Sequence, residues 1–337
     1  MLQLSGESTL LRVGLYGGIM NYKVRLIIFI FLVVMLTSCS RITDMDIQYS
    51  KVTDNQLGYG IQILNTNNEI IKEFKHEVSE NFDFKVRFYN RSGHPNQFKL
   101  IMLLNYLEID YTSTDKLFNN NEYFFLENDA DIVIPLSIPV TYKNHSFAPL
   151  IVSVVAGPQK HAGDLGDTSD FYGVSQRIDL TQQDNMLKPF ESKSIKYSSN
   201  TRVLISKDPS NVYEGILINQ DNYSENEFFR LPPNELKTKP NENVKLNVRV
   251  NGLAKDYLAF FLLNWKQIEV NENENWWYFR NPEGDTAYKE ITIKAPEQPG
   301  KYEISAYLVS NPWLIRDDDN NVSFTIDTSF RFTLHVE

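Results

Sequence analysis

Along most of the chain, apolar and polar residues alternate. Phe82-Asp83-Phe84-Lys85-Val86-Arg87-Phe88, Val244-Lys245-Leu246-Asn247-Val248-Arg249-Val250 and Phe330-Arg331-Phe332-Thr333-Leu334-His335-Val336 each put every second side chain on one face. That is the pattern of a strand with one face buried. No long stretch holds a helical period. Turn residues interrupt the alternation at short intervals, as in Asn90-Arg91-Ser92-Gly93-His94-Pro95, Asn251-Gly252 and Glu297-Gln298-Pro299-Gly300, which predicts an all-β chain of antiparallel β-sandwiches.

The pattern is written twice. Tyr59-Gly60-Ile61-Gln62-Ile63-Leu64-Asn65 reads like Tyr213-Glu214-Gly215-Ile216-Leu217-Ile218-Asn219, and Lys85-Val86-Arg87 like Asn247-Val248-Arg249. Leu103-Leu104-Asn105-Tyr106 matches Leu262-Leu263-Asn264-Trp265, Tyr123-Phe124-Phe125 matches Trp277-Tyr278-Phe279, and Gly157-Pro158 matches Asn311-Pro312. The offsets, 154 to 162 residues, describe a whole domain copied and then varied in its loops, since solenoid units are only about 20 to 50 residues long. Two tandem sandwiches are expected, at 49–198 and 199–337. In the second, Gln298-Pro299-Gly300-Lys301-Tyr302-Glu303-Ile304-Ser305-Ala306 resembles bacterial immunoglobulin-like domains, where a Pro-Gly turn precedes an aromatic-rich strand near the sandwich end. The resemblance covers about a third of one domain and implies a fold, not a function.

A different pattern precedes the repeats. Leu26 to Leu36 are eleven consecutive apolar residues, short of the ~20 that span a bilayer but suited to the core of an export signal. Lys23 and Arg25 supply the charged flank. Leu36, Thr37 and Ser38 lead into Cys39, the only cysteine, and the four residues resemble the lipobox of bacterial lipoproteins. The resemblance implies that Cys39 receives a diacylglycerol and becomes the N-terminus after cleavage. Residues 1–38 are then a signal region, with the true start expected at Met20, and residues 39–48 a lipidated tether. An uncleaved N-terminal anchor is the alternative; either reading places the sandwiches at the cell membrane, facing outside the cytoplasm. Acylation also disposes of a lone thiol in an oxidising compartment.

Setting residues 1–38 aside removes Arg12, Lys23, Arg25 and Glu7 and leaves a net charge of −12. An acidic surface opposes phosphate backbones and anionic headgroups, so no nucleic acid partner is expected and the lipid does the anchoring, at about 0.8 kcal/mol per buried methylene.

Catalytic chemistry is not visible. His76, His94, His145, His161 and His335 form no metal-ligand spacing, and there is no Gly-x-Ser-x-Gly elbow or phosphate loop; no enzymatic activity and no cofactor beyond the lipid are expected. Two other features are candidates. Trp276, Trp277 and Tyr278 offer faces that stack on sugar rings, although large aromatics also fill sandwich cores. The aromatic triplet at 123–125 in the first copy favours the core, and Trp276, whose counterpart is read as Glu122, is the residue to test for exposure. The acidic loops Gly163-Asp164-Leu165-Gly166-Asp167-Thr168-Ser169-Asp170 and Asp317-Asp318-Asp319-Asn320-Asn321 carry hard oxygens of the kind calcium takes, with Asp164, Asp167, Asp317 and Asp319 as candidate ligands. A solvated turn is the simpler reading, because acidic, Gly-rich loops are routine at sandwich ends. The sequence thus points to a lipid-anchored, non-catalytic binding or adhesion module with a protein or glycan partner at the cell surface. The alternatives are a structural accessory subunit of an envelope complex and a carbohydrate-binding module associated with a hydrolase.

Overall fold

The computed structural model describes residues 58–71, 75–78, 80–114, 119–141, 147–164, 173–181, 196–204, 215–220, 234–281, 286–315 and 324–337. In the first repeat these form β1 (Gly58–Leu64), β2 (Lys75–Glu77), β3 (Asn81–Arg91), β4 (Asn96–Leu104), β5 (Leu107–Glu108), β6 (Phe124–Leu126), β7 (Asp131–Pro139), β8 (Phe147–Ala156) and β9 (Gly173–Thr181), with a 3-10 turn at Ala162–Asp164. The second contributes β10 (Arg202–Leu204), β11 (Gly215–Asn219), β12 (Glu235–Thr238), β13 (Asn243–Asn251), β14 (Lys255–Leu263), β15 (Lys266–Ile268), β16 (Trp277–Asn281), β17 (Thr286–Lys294), β18 (Gly300–Ser310), β19 (Ile326–Thr328) and β20 (Phe332–Val336).

One sheet of the first sandwich runs β1-β3-β7 and the other β2-β9-β8-β4-β5, with β6 also on β4. The second repeats this as β10-β17-β13-β11 and β12-β20-β18-β14-β15, with β16 on β14 and β19 on β18. Each sandwich also carries a short parallel edge strand, β2 on β9 and β12 on β20. Two facing sheets joined in this order make an immunoglobulin-like sandwich. Alternation sets the inner faces as the sequence predicts: Phe82, Phe84, Val86 and Phe88 fill one core and Val244, Leu246, Val248 and Val250 the other.

Strand pairing corrects the repeat by one residue in two places. Ile63 pairs with Val86, and Ile218 with Val248, so β1 and β11 match at an offset of 155 residues, which sets Gly60 on Gly215. Phe124 pairs with Phe98, and Phe279 with Tyr257, so Tyr123 matches Tyr278, and Trp277 takes the place of Glu122. A slip of one residue exchanges the two faces of a strand. The C-terminal stretch departs from simple alternation too: Phe330 is exposed, whereas Arg331 and Thr333 are buried.

Those buried polar residues face a third core. Strands β4, β8, β14 and β18 are covered on both sides, and their outer faces meet in a cluster that includes Ile101, Leu103, Ile151 and Val155 from the first sandwich and Phe260, Leu262, Tyr307 and Val309 from the second. The outer faces thereby stack the two sandwiches back to back. Continuous apolar runs are what double-sided burial requires.

The contact is reciprocal. Tyr106 and Trp265 each follow an asparagine in a two-residue hairpin loop, with positive φ at both positions of both loops (54° and 62°; 47° and 67°). Such loops match the twist of the flanking strands. They also aim each aromatic at the opposite sandwich: the Tyr106 hydroxyl donates to Pro312 O, and Trp265 Nε1 donates to Pro158 O at 2.8 Å. Near the local dyad, matched residues meet each other. Glu108 N donates to Gln267 Oε1 (2.7 Å) and Gln267 N to Glu108 Oε2 (2.6 Å), while Ser153 Oγ lies 2.8 Å from Tyr307 Oη. Arg177 donates to Asn311 O and Leu314 O, and its counterpart Arg331 to Gly157 O and Lys160 O. The two halves of the chain join as the subunits of an isologous dimer do.

Candidate functional site

Trp277 and Tyr278, placed by the sequence on a possible sugar platform, are buried. Trp277 packs in the second core, stacked on Phe279 at 4.0 Å, and its Nε1 donates to Thr201 Oγ1. Tyr278 lies in the core between the sandwiches under Tyr197, 4.8 Å away, and its hydroxyl reaches Asp256. Their faces are therefore closed to a ligand. Trp276 is half-buried beside Trp313, with ring centroids 6.4 Å apart. Asp164 accepts from Lys301 Nζ, and that hydrogen bond holds its carboxyl below the usual range. Asp167, Asp317, Asp319, His145, Leu36, Thr37, Ser38 and Cys39 lie outside the described residues. Among the described residues no three His, Cys, Asp or Glu side chains gather as a metal site.

A second polar cluster bridges the two sandwiches. Glu303, with a side chain 1% exposed, accepts from Thr333 Oγ1 at 2.6 Å, shares a hydrogen bond with His161 Nδ1 at 3.1 Å and lies 3.7 Å from Arg331 Nε. Gly163 N donates to Thr333 Oγ1, and a Cβ at Gly163 would stand 2.6 Å from Glu235 Oε2. A nucleophilic triad sets the imidazole between hydroxyl and carboxylate. Here hydroxyl and imidazole instead converge on one buried carboxylate, an arrangement that ties the halves together.

Among the described residues, the edge strand β6 brings two exposed aromatic side chains together. Phe124 and Leu126 point into the first core, and Tyr123 and Phe125 point outward, 40% and 56% exposed. Lys99 comes from the adjacent β4 and sets its Nζ 5.2 Å from the centre of the Tyr123 ring; burial lowers its pKa. In the second sandwich the matching edge is occupied. Ser198 N donates to Tyr278 O at 2.7 Å, Tyr278 N donates to Ser198 Oγ at 3.0 Å, and Tyr197 stacks on Tyr278. The segment from Lys196 onward, expected at the end of the first domain, thus packs on the second and continues into β10, which pairs with β17. The open edge escaped the sequence reading because the one-residue slip set Tyr123 against Trp277. Its signal is the unbroken run Tyr123-Phe124-Phe125-Leu126, four apolar residues on a strand with one core to fill.

No protein-family model matches the sequence, and no curated protein matches it. Among solved structures, the CARDB domain of the PF1109 protein from Pyrococcus furiosus is 15% identical and covers 37% of this chain and 93% of its own, with a TM-score of 0.23. The fibronectin(III)-like modules of Clostridium thermocellum CbhA are 11% identical over 82% of this chain and 94% of theirs, with a TM-score of 0.21. The C-terminal domain of the Streptococcus agalactiae antigen I/II polypeptide BspA is 8% identical over 82% of this chain and 100% of its own, with a TM-score of 0.22. Likenesses this distant carry no argument, and the immunoglobulin-like assignment rests on the strand order of the molecule itself.

Proposed function

We propose that the protein is a non-catalytic binding module, held on the outer side of a bacterial cell membrane by lipid on Cys39, which takes an extended protein segment onto the edge of β6. The observation that carries this reading is the contrast between the two matched edges: β16 is covered by an extended stretch through Tyr197 and Ser198, and β6 presents Tyr123 and Phe125 to solvent. An added strand gains main-chain hydrogen bonds for affinity and pockets for alternate side chains for specificity. Its chemistry follows from the occupied edge, an aromatic residue to stack on Tyr123 followed by a small hydroxyl residue. Sheets packed on both faces suit this role, because a preorganised edge loses little freedom on binding.

Two measurements on the full chain in a bacterial host test the reading. A clickable palmitate analogue should label the native protein and not Cys39→Ala; equal labelling, or none, overturns the anchor. A photo-crosslinking amino acid at position 125 should give discrete adducts with another polypeptide, lost when Tyr123→Asp is added. Absence of adducts, or a link confined to the same polypeptide, overturns the edge as a docking site.

A further inference from the structure

A lysine stands inside the second sandwich. Lys289 is on β17 with Ala287 and Ile291 to either side on the same inward face, pairs with the buried Val248, and is itself 3% exposed. The matching residue of the first sandwich is Ile134. An ammonium in that setting requires a partner. Lys289 Nζ lies 2.5 Å from Glu274 Oε2, and the same oxygen accepts the side-chain amide of Asn271 at 3.0 Å. The other end of that amide is also fixed, since Asn271 Oδ1 accepts from Thr292 N at 2.8 Å and Asn271 N donates to Thr292 O at 3.0 Å.

An amine, a carboxylate and a carboxamide are thereby brought together, with the amide oxygen held by a backbone donor. We propose that Lys289 and Asn271 become joined by an intramolecular isopeptide bond, with Glu274 as the proton carrier. Glu274 takes a proton from the Lys289 ammonium, and the freed amine attacks Asn271 Cγ. The tetrahedral oxygen keeps its hydrogen bond from Thr292 N, as developing oxyanions do at fixed backbone donors. Glu274 then returns that proton to Nδ2, the Cγ–Nδ2 bond breaks, and the carboxylate draws the second proton from Nζ to leave a neutral amide and passes it to the departing ammonia, which leaves as ammonium. Nothing is oxidised or reduced, and no further reactant is needed. Holding the reacting groups in one geometry replaces a chance encounter with an intramolecular step. Glu274 is part-exposed at the sandwich side, which gives the ammonia a way out. The bond ties the loop between β15 and β16 to β17 on the opposite sheet.

Peptide mapping by mass spectrometry of the purified full-length protein tests this directly. The expected result is one branched peptide containing both residues, lighter by one ammonia (about 17 Da) than its two parts, with no protease cleavage after Lys289. Asn271→Ala and Glu274→Ala should each give unjoined peptides at full mass. Unjoined peptides from the native protein overturn the bond, whatever the variants do. A joined peptide from Glu274→Ala overturns the role given to the carboxylate.

Discussion

At one end of the interface between the sandwiches, Tyr106 sits edge-on to Trp313, 5.0 Å away, with Tyr278 and Trp276 close to the same indole. At the end related by the local dyad, Trp265 faces Arg331, whose guanidinium lies 5.0 Å from the ring centre. The positions matching Trp313, Tyr278 and Trp276 there are Gln159, Tyr123 and Asn121, and the position matching Leu258 is Lys99. One backbone arrangement thus carries two chemistries. Symmetry of the strands fixes where side chains meet, and the side chains decide whether a corner is closed with apolar surface or left partly polar.

The comparison is broken hardest by removing its two anchors. Tyr106→Ala and Trp265→Ala should each destabilise the protein by about 3–5 kcal/mol in equilibrium denaturation, the range for deleting a large buried aromatic. A cost below about 1 kcal/mol for Trp265→Ala alone would show that the polar end adds little to the shared core. Alkaline pH probes the same interface through its phenols. Burial raises the pKa of Tyr106 and Tyr278 and pushes Tyr307 up to about 12. An unfolded phenol ionises near pH 10, so the stability these groups give is complete below that pH and is lost as pH rises toward their folded values. The expected slope is about 1.4 kcal/mol per pH unit for each phenol still protonated, measured as denaturation midpoints against pH. A flat profile between pH 10 and 11 would mean that the three are not held in water-free surroundings. The smallest effect belongs to Lys99. Burial disfavours its charged form, so Lys99→Leu, which copies Leu258, should stabilise the protein by roughly 0.5–1 kcal/mol. Its folded pKa is depressed, so the native protein should recover part of this difference as pH rises from the folded value toward 10.5. A destabilised Lys99→Leu would mean that the contact with Tyr123 outweighs the burial.

Much of this was written in the sequence. Alternation located the inner faces of β3 and β13, and the matched hairpins at Asn105-Tyr106 and Asn264-Trp265 exposed the repeat. The register of β1 and β6 was harder, because short aromatic and aliphatic runs align nearly as well when moved by one residue; Gly60 against Gly215 was the signal that settles the first. The packing of one sandwich on the other was present as the unbroken apolar runs of β4, β8, β14 and β18, which need two buried faces. The polar lock around Glu303 was not legible, since His161, Glu303 and Thr333 are far apart in the chain and meet only because the sandwiches stack. Lys289 was legible in part: it breaks the inward series Ala287, Ile291, Ile293 with a cation, and only the fold supplies its partners.

Fusing two matched halves into one chain has a consequence for valency. In a dimer of identical subunits every surface strand appears twice, and a partner able to bind one could bridge two molecules through both. Here one edge is occupied by the chain itself at Tyr197 and Ser198 and the other is exposed at Tyr123 and Phe125. Among the described residues each molecule therefore offers one such edge, and a partner docked there as proposed would be held singly, without being cross-linked into a lattice.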